Sequence, residues 1–358
     1  MSKCILYLAG ISFMFRPTIR DVARKAGVGI GTVSRVLNNS PKVTPETRQA
    51  VLAAIAELGF RPNTIARQLP RRTRLHNIGV VTQPFINYQA FAAQMRGLQL
   101  GLYDYDSKRY EIVLYSVRSL AHFDEQLTAI VRTGTVDGLI IIDFDLLDEQ
   151  KQMLRDAGLP FVGLNHLQDA DWPCIGANNH LGGYLAASYL LDLGHTDIAY
   201  LGDELVDTFE FKTSGQRYEG FRRALAERGL PVKDEYVRLG FHDYDVAIEL
   251  ATELLRLPDP PTAIFAMCDM QALACLDAAR RLGLRVPEAV SVMGFDDLET
   301  SYHVGLTTVR QHFEPAGRLA VQHLLALIDG VPPPPPVLPP PEVIPRQTTR
   351  PLTGKGAV

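Results

Sequence analysis

Residues 18–39 constrain the fold most, because they have the pattern of two short helices joined by a tight turn. Thr18, with Asp21 three residues later, is a capping-box pattern that starts a helix. Gly27 suits the left-handed position that ends this helix and turns the chain. Each helix has an apolar stripe at helical spacing: Ile19, Val22, Ala23 and Ala26, then Val33, Val36 and Leu37. The pattern predicts a helix-turn-helix unit.

The exposed side of the second helix, which begins near Ile30, is the surface expected to meet DNA. In helix-turn-helix proteins this helix lies in the major groove and its first turns contact base edges. Arg35 can pair bidentately with guanine, and Asn38 can bind a phosphate or a base. The candidate DNA-reading residues of the unit are Thr18, Ile30, Gly31, Thr32, Ser34, Arg35 and Asn38. The residues alone also allow a solvated amphipathic helix pair that binds nothing.

The distribution of charge favours DNA binding. The formal net charge of the whole chain is −4. Residues 16–74 nevertheless contain 12 Lys+Arg against 3 Asp+Glu, and the rest of the chain contains 24 against 37. Phosphate binding requires a basic block of this kind. A merely solvated surface would not explain why the positive charge coincides with the predicted helix-turn-helix.

A third helix is predicted directly after this unit. Thr44 is a suitable N-cap and Pro45 a suitable first helical residue. Gly59 would end the helix, whose predicted buried stripe is Val51, Leu52, Ile55 and Leu58. Three helices of this size would form a compact headpiece.

The remainder of the chain alternates short apolar runs with helical stretches. The runs are 78–82, 110–115, 136–142, 160–164, 198–202, 263–267 and 290–295. Continuous apolar runs separated by helices are typical of parallel strands covered on both faces. The pattern predicts two doubly wound α/β lobes. Ligands bind such sheets at the carboxyl ends of the strands, so a cleft between the lobes is the expected ligand site.

Specific motifs resemble those of one family of bacterial regulators. Asp21–Val28 and Thr32–Asn38 are similar to the headpiece of the lactose-repressor (LacI/GalR) family. Further motifs of that family follow in order, at 215–221, 294–297, 306–311 and 343–349, so that the resemblance covers about 18–351. It implies an N-terminal three-helix headpiece, a hinge helix, and two parallel α/β lobes similar to periplasmic sugar-binding proteins. One departure is Gly31, which has no side chain with which to contact a base.

The resemblance also implies a hinge helix after the headpiece. The segment from Asn63 to Leu69 matches the family pattern of a helix that orders only on the operator. Leu69 matches a leucine that wedges open a central base step from the minor groove. Ala66 would allow two copies of the helix to pack closely, and Arg67 would lie near the minor-groove phosphates. An exposed basic linker is the alternative interpretation.

The resulting domain prediction assigns every part of the chain. The headpiece is 18–62 and the hinge 63–74. The first lobe comprises 75–169 and 306–331, and the second lobe 170–305 and 342–352. The remaining segments are a polyproline crossing at 332–341, a tail at 353–358, and an N-terminal extension at 1–17 that precedes a possible true start at Met14.

Candidate ligand-binding residues follow from the strand ends and from the family motifs. Arg217 and Asp296 match the family's ligand-binding arginine and aspartate, which suits a hydroxyl-rich ligand such as a sugar or a nucleoside. A salt bridge with no ligand role is the alternative for this pair. Cys268 and Asp269 stand where the family has Asn-Asp, and a thiol donates poorly. The weaker candidates are Asn165, Asp143 and three aromatic residues that could stack on a sugar ring or pack in the core, Phe91, Trp172 and Phe241.

Together these features predict a cytoplasmic, nucleoid-associated transcription repressor. We expect a homodimer that binds a pseudo-palindromic operator and responds to a small effector, most simply a carbohydrate. A purine- or nucleoside-responsive regulator is the first alternative, and an exported solute receptor the second. An enzyme is disfavoured, since only Asp296–Asp297 resembles an acid–base pair. No membrane partner or cofactor is expected. No metal is expected either, because the four cysteines lack metal-type spacing; they also lack paired spacing, which indicates reduced thiols.

Overall fold

The computed structural model describes residues 19–37, 43–58, 76–84, 89–106, 110–165, 172–204 and 212–352. The chain divides into two compact units, 1–74 and 75–358, which are described separately. Several candidate DNA-binding residues lie outside the described residues: Thr18, Asn38, Asn63, Ala66, Arg67 and Leu69. Within the described part of the chain, no helix is long and apolar enough to cross a bilayer.

The first unit contains the three predicted helices, α1 (Ile19–Lys25), α2 (Ile30–Leu37) and α3 (Pro45–Leu58). Gly27 lies in the turn between α1 and α2 at φ 65°, in the left-handed region that favours glycine. Val22, Val33 and Val51, one from each helix, have no exposed surface and form the centre of the headpiece core. The predicted stripe of α3 is wrong at one position: Leu52 is 52% exposed, and Ala54 packs into the core in its place. A small residue there allows α3 to approach its neighbours closely.

The first lobe is a five-stranded parallel sheet in the order β2-β1-β3-β4-β5. Its strands are β1 (His76–Thr82), β2 (Tyr110–Ser116), β3 (Gly138–Ile142), β4 (Phe161–Leu164) and β5 (Cys174–Ile175). The helices that cover it are α4 (Gln89–Asp106), α5 (Leu120–Thr133), α6 (Asp148–Asp156) and α12 (Phe313–Ile328). Every residue of β3 and β4 is buried, as continuous apolar runs predict for strands covered on both faces.

The second lobe is a four-stranded parallel sheet in the order β7-β6-β8-β9. Its strands are β6 (Ile198–Asp203), β7 (Val237–Gly240), β8 (Ala263–Ala266) and β9 (Ser291–Met293). The helices are α7 (Asn179–Asp192), α8 (Lys212–Glu227), α9 (Tyr244–Leu255), α10 (Asp269–Arg281) and α11 (Glu299–His303). A separate antiparallel pair, β10 (Thr308–Arg310) and β11 (Glu342–Ile344), lies beside this sheet through an isolated bridge between Asp296 and Arg310.

Two predicted lobe boundaries are wrong. β5 pairs with β4, so Trp172–Ile175 belong to the first lobe and the first crossing falls between β5 and α7. Leu306 and Val309 are buried in the core of the second lobe, so the chain returns to the first lobe only between Arg310 and α12. In both cases a short strand or bridge holds the segment to its own sheet for a few residues longer than the motifs suggested. In the polyproline crossing, Leu338 packs against the first-lobe core.

Close packing of α7 against α8 positions the residues of the candidate site. A Cβ atom added at Gly183 would lie 2.1 Å from the carbonyl oxygen of Arg217. One added at Gly220 would lie 2.1 Å from the carbonyl oxygen of His180. Neither glycine can be replaced without separating the helices. These two positions therefore determine how deeply α8 is seated and where it presents Arg217.

Candidate ligand site and nucleic-acid interface

The candidate ligand site in the second lobe centres on Arg217, which is 5% exposed. Its Nη1 donates to the carbonyl oxygen of Met267 at 2.6 Å, and its Nε donates to Asn179 Oδ1 at 3.0 Å. Arg217 Nη1 also lies 3.6 Å from Asp296 Oδ1. The guanidinium carbon stands 3.9 Å from the centre of the Phe295 ring. The Met267 carbonyl group after β8 and the Asp296 carboxylate after β9 thus hold the Arg217 guanidinium at the carboxyl edge of the sheet.

Asp296 and Asp297 follow β9 in strained backbone conformations, with φ values of 128° and 57°. Such conformations in residues other than glycine concentrate at functional sites. Asp296 is 8% exposed and accepts a hydrogen bond from Gln311 Nε2 at 2.5 Å. Asp297 instead pairs with Arg310 at 2.7 Å and Arg346 at 2.5 Å. Because the two carboxylates have separate partners, they do not form an acid–base pair.

Burial affects the ionisation of the acidic groups around Asp296. It raises the pKa of Asp296 to about 6, although the Arg217 guanidinium opposes this change. Burial, followed by the negative charge of Asp296, raises the pKa of Asp269 to about 7. Burial also raises the pKa of the Cys268 thiol well above its usual value, with the charges of Asp296 and Asp203 adding to the effect. Cys268 is therefore a protonated thiol at neutral pH.

Asp269 lies next to the candidate site but has a different environment from Asp296. Its carboxylate accepts hydrogen bonds from Ser301 Oγ at 2.6 Å, Thr308 Oγ1 at 2.5 Å and the Leu298 backbone at 2.9 Å. The side chain has no exposed surface. Asp269 thus ties the start of α10 to α11 and β10, and these contacts stabilise the segment that carries Asp296.

Three residues that the sequence did not indicate lie at the same edge of the sheet. Asp203 ends β6, and its carboxylate lies 2.8 Å from His242 Nδ1 and 2.7 Å from Gln271 Nε2. Asp203 directly follows the apolar run 198–202, so its position after a strand was a usable signal. No such signal marked His242. The strand before it, β7, is a four-residue edge strand that contains an arginine, so it has no apolar run to predict it.

The two weaker candidates of the first lobe are brought together by its sheet. Asp143 follows β3 and Asn165 follows β4, and both are left-handed, at φ 63° and 70°. Asn165 Nδ2 donates to Asp143 Oδ1 at 2.9 Å. Their backbone amides donate to Leu164 and Ile175 of the neighbouring strands, at 3.2 and 2.7 Å. The pair therefore continues the sheet and presents polar groups at its carboxyl edge.

The three candidate aromatic residues have different environments. Trp172 is buried in the first-lobe core, 5.7 Å from the Phe161 ring. It is therefore a core residue, which is the second of the two roles that the sequence allowed for it. Phe91 is half-buried on α4 and packs against the first-lobe core. Phe241 is 72% exposed after β7, next to His242.

Two contacts connect the lobes on either side of the cleft. Lys212, the first residue of α8, forms an ion pair with Asp145, which follows β3. Thr300 Oγ1 of α11 donates to Gln89 Oε1 at the start of α4, at 2.8 Å. Both contacts join residues near the carboxyl edges of the two sheets, so these edges face each other as the sequence pattern predicts.

The headpiece presents α2 as a candidate nucleic-acid interface. Ile30 is 46% exposed, Gly31 and Arg35 are exposed, and Thr32 is half-buried. The opposite side of α2 buries Val33 and Val36. Ser34 belongs to α2, but its side chain lies outside the described part of the chain. The described side chains of α2 thus separate into a core face and an exposed face.

Comparison with known proteins agrees with both parts of this arrangement. Residues 18–63 match the model of bacterial regulatory proteins of the lacI family, and 187–349 match that of the periplasmic binding protein-like domain. The chain is 33% identical over 319 residues to a probable HTH-type transcriptional repressor, ExuR of Bacillus subtilis (strain 168), covering 87% of this chain and 91% of that one. The chain belongs to the LacI family.

Solved structures of LacI-family proteins support the fold along almost the whole chain. A complex of the transcriptional regulator CelR with cellobiose is 30% identical, with a TM-score of 0.64, and covers 93% of this chain and 100% of that one. A Lac repressor dimer bound to operator and the anti-inducer ONPF is 27% identical, with a TM-score of 0.66, and covers 94% and 100%. This LacI-family chain is accordingly a DNA-binding transcription regulator and not an enzyme.

Proposed function

We propose that this regulator is a repressor whose operator affinity is controlled by a hydroxyl-rich effector, a sugar or a sugar derivative, bound between the two lobes. The observation that carries the proposal is the buried Arg217–Asp296 pair at the carboxyl edge of the second lobe, with a separation of 3.6 Å. An arginine and a carboxylate together supply donors and acceptors for vicinal hydroxyl groups. The cellobiose complex of CelR is consistent with this class of ligand.

The DNA-binding form would be a cytoplasmic, nucleoid-associated homodimer on a pseudo-palindromic operator. The exposed face of α2 would read the major groove through Arg35, and the segment from Asn63 to Leu69 would supply the minor-groove contacts. The Lac repressor dimer on its operator is consistent with this assembly. The effector would change operator affinity by its differential affinity for the two states of the lobes.

A thermal-melt screen of the full chain against neutral sugars, amino sugars, sugar phosphates, nucleosides and purines tests the proposal. A ligand present at a hundredfold excess over its dissociation constant stabilises the folded state by about 2.7 kcal/mol. Each stabilising compound is then titrated into the protein bound to an operator fragment, followed by fluorescence anisotropy. A sugar that stabilises the protein and changes operator affinity supports the proposal. Stabilisation by purines or nucleosides alone would contradict it.

A further inference from the structure

The two edges of the parallel sheets differ in charge. Among the described residues, the segments that lead from a strand to the next helix contain six Asp or Glu and one Lys or Arg, counting 83–84, 117–119, 143–147, 176–178, 204, 241–243, 267–268 and 294–298. The described segments that lead from a helix to the next strand contain six Asp or Glu and four Lys or Arg, counting 134–137, 157–160, 193–197, 228–236, 256–262 and 282–290. The two edges therefore have the same number of acidic residues, but at the carboxyl edges, where the candidate ligand site lies, fewer cations balance them.

The two cations nearest to Asp296 and to the interlobe contact already have carboxylate partners. Arg217 pairs with Asp296 and also donates to the carbonyl oxygen of Met267. Lys212 pairs with Asp145 across the cleft. After burial, the charge of Asp296 is the next cause of the raised pKa of both Asp269 and Cys268, as expected for acidic groups that lie close together. An additional anion would meet repulsion with little compensating positive charge.

A buried acceptor in the same cluster gives a second, independent indication. Gln271 is 1% exposed, and its Nε2 donates to Asp203. Among the described residues, none donates to its Oε1. A buried carbonyl oxygen without a donor costs about 1–3 kcal/mol, and an O–H or N–H group of a ligand would relieve this cost. The second-lobe side of the site therefore has a buried acceptor available to a hydrogen-bond donor of a ligand.

From these observations we infer that the effector is a hydroxyl compound that is uncharged or carries an ammonium group, and that the site rejects its carboxylate and phosphate analogues. This inference rests on the proposed function, because it concerns the same interlobe site. The physical reason is that a desolvated anion beside Asp203 and Asp296 would lose its hydration and gain no free cation. Hydroxyl and ammonium groups would instead donate to these carboxylates.

The first test measures the local potential and requires no knowledge of the effector. Phe241→Cys places a thiol at the carboxyl edge, and Ala289→Cys places a matched exposed thiol at the opposite edge of the same sheet. Each full-length variant reacts with the trimethylammonium-ethyl and the sulfonatoethyl methanethiosulfonates at low salt. The unsubstituted chain, whose described cysteines are buried, gives the background rate.

We expect the cation-to-anion rate ratio to be about tenfold higher for Phe241→Cys than for Ala289→Cys. The difference between the two ratios should shrink in 0.5 M salt, because the Debye length then falls to about 4 Å and the charges are screened. Adding Asp203→Asn to Phe241→Cys should lower the ratio, whereas Asp259→Asn, at the opposite edge, should not. Equal ratios at the two edges, or a faster reaction of the anionic reagent at Phe241→Cys, would overturn the inference.

The second test compares charge variants of one sugar. Glucose, galactose and mannose are each assayed by thermal shift beside their 2-amino, uronate and 6-phosphate forms. Stabilisation by a neutral or amino member without its anionic counterparts supports the inference. Stabilisation by a uronate or phosphate overturns the inference about charge but still supports the proposed hydroxyl-rich effector. If none of the twelve compounds stabilises the protein, the result counts against the proposed sugar effector, and the rate ratios still decide the question of charge.

Discussion

Gln311 donates a 2.5 Å hydrogen bond to Asp296, and so joins the candidate ligand site to the point where the chain returns to the first lobe. Asp296 follows β9 in the second lobe, whereas α12, which begins at Phe313, packs in the first. Between Gln311 and α12, His312 adopts a left-handed conformation at φ 61°. A change at Asp296 can therefore reach the interlobe connection through one side chain.

We predict that Gln311→Ala weakens the effector response. The Asp296 carboxylate would lose a charge-assisted hydrogen bond worth about 1.5–3 kcal/mol, so the effector concentration for half-response should rise at least tenfold. Operator affinity without effector should change little. Anisotropy titrations of an operator fragment, with and without the effector found by thermal shift, measure both quantities. Gln152→Ala on α6 is the control. An unchanged half-response concentration in Gln311→Ala would refute the connection.

Arg217→Lys should abolish the effector response more selectively than Arg217→Ala. Lysine keeps the positive charge next to Asp296 but cannot reproduce the geometry that reaches Asn179 and Met267 together. Arg217→Ala leaves Asp296 buried without its partner and should also lower the free energy of unfolding by about 3–5 kcal/mol. Urea denaturation and calorimetric titration of the effector separate the two effects. Arg222→Ala, an exposed arginine of the same helix, should show neither.

The stability of the protein should depend on pH through Asp296. Its pKa is about 6 in the folded protein and lies near 3.8 when unperturbed, so the folded state binds the proton more tightly than the unfolded state. Its contribution is therefore most favourable below pH 3.8 and is lost as the pH rises through 6. Between pH 5 and pH 7.5 the wild type should lose about 1.4 kcal/mol more unfolding free energy than Asp296→Asn.

Urea denaturation of the wild type and Asp296→Asn at several pH values measures this difference directly. Groups common to both proteins cancel in the subtraction, apart from Asp269, whose pKa Asp296 raises. Asp297→Asn is a contrasting control, because it removes a carboxylate held by Arg310 and Arg346 rather than one in the candidate site. Parallel pH profiles for the wild type and Asp296→Asn would contradict the raised pKa.

Arg35→Ala should reduce sequence-specific DNA binding by about 1–3 kcal/mol at one operator position, while binding to random DNA falls much less. The reason is that Arg35 lies exposed on α2, opposite the buried Val33 and Val36. Arg24→Ala, on α1, should weaken binding to both DNAs by similar factors, since the first helix crosses the phosphate backbone. Salt-matched titrations against operator and scrambled DNA distinguish the two. Equal losses on both DNAs for Arg35→Ala would exclude a role in base reading.

Local sequence patterns predicted the elements of this protein well. Capping residues and apolar spacing predicted the three headpiece helices, and Gly27 predicted the left-handed turn between the first two. Seven apolar runs predict seven of the nine parallel strands, because a strand covered on both faces must be apolar throughout. The short strands β5 and β7 escaped prediction, since two to four residues carry too little periodicity. The shortness of β5 and β10 placed Trp172 and Leu306 in the wrong lobes.

The sequence by itself determined the class of fold and placed Arg217 and Asp296 among the candidates, because strand ends and family motifs are local features of the chain. Only the tertiary structure brought Asp203, His242 and Gln271 together, since they come from three separate elements. It also gave the neighbours Asp296 and Asp297 different environments: both have strained backbones, but Asp296 contacts Arg217 and Asp297 contacts Arg346. Burial, hydrogen-bond partners and raised pKa values depend on residues distant in the chain, so folding alone decides them.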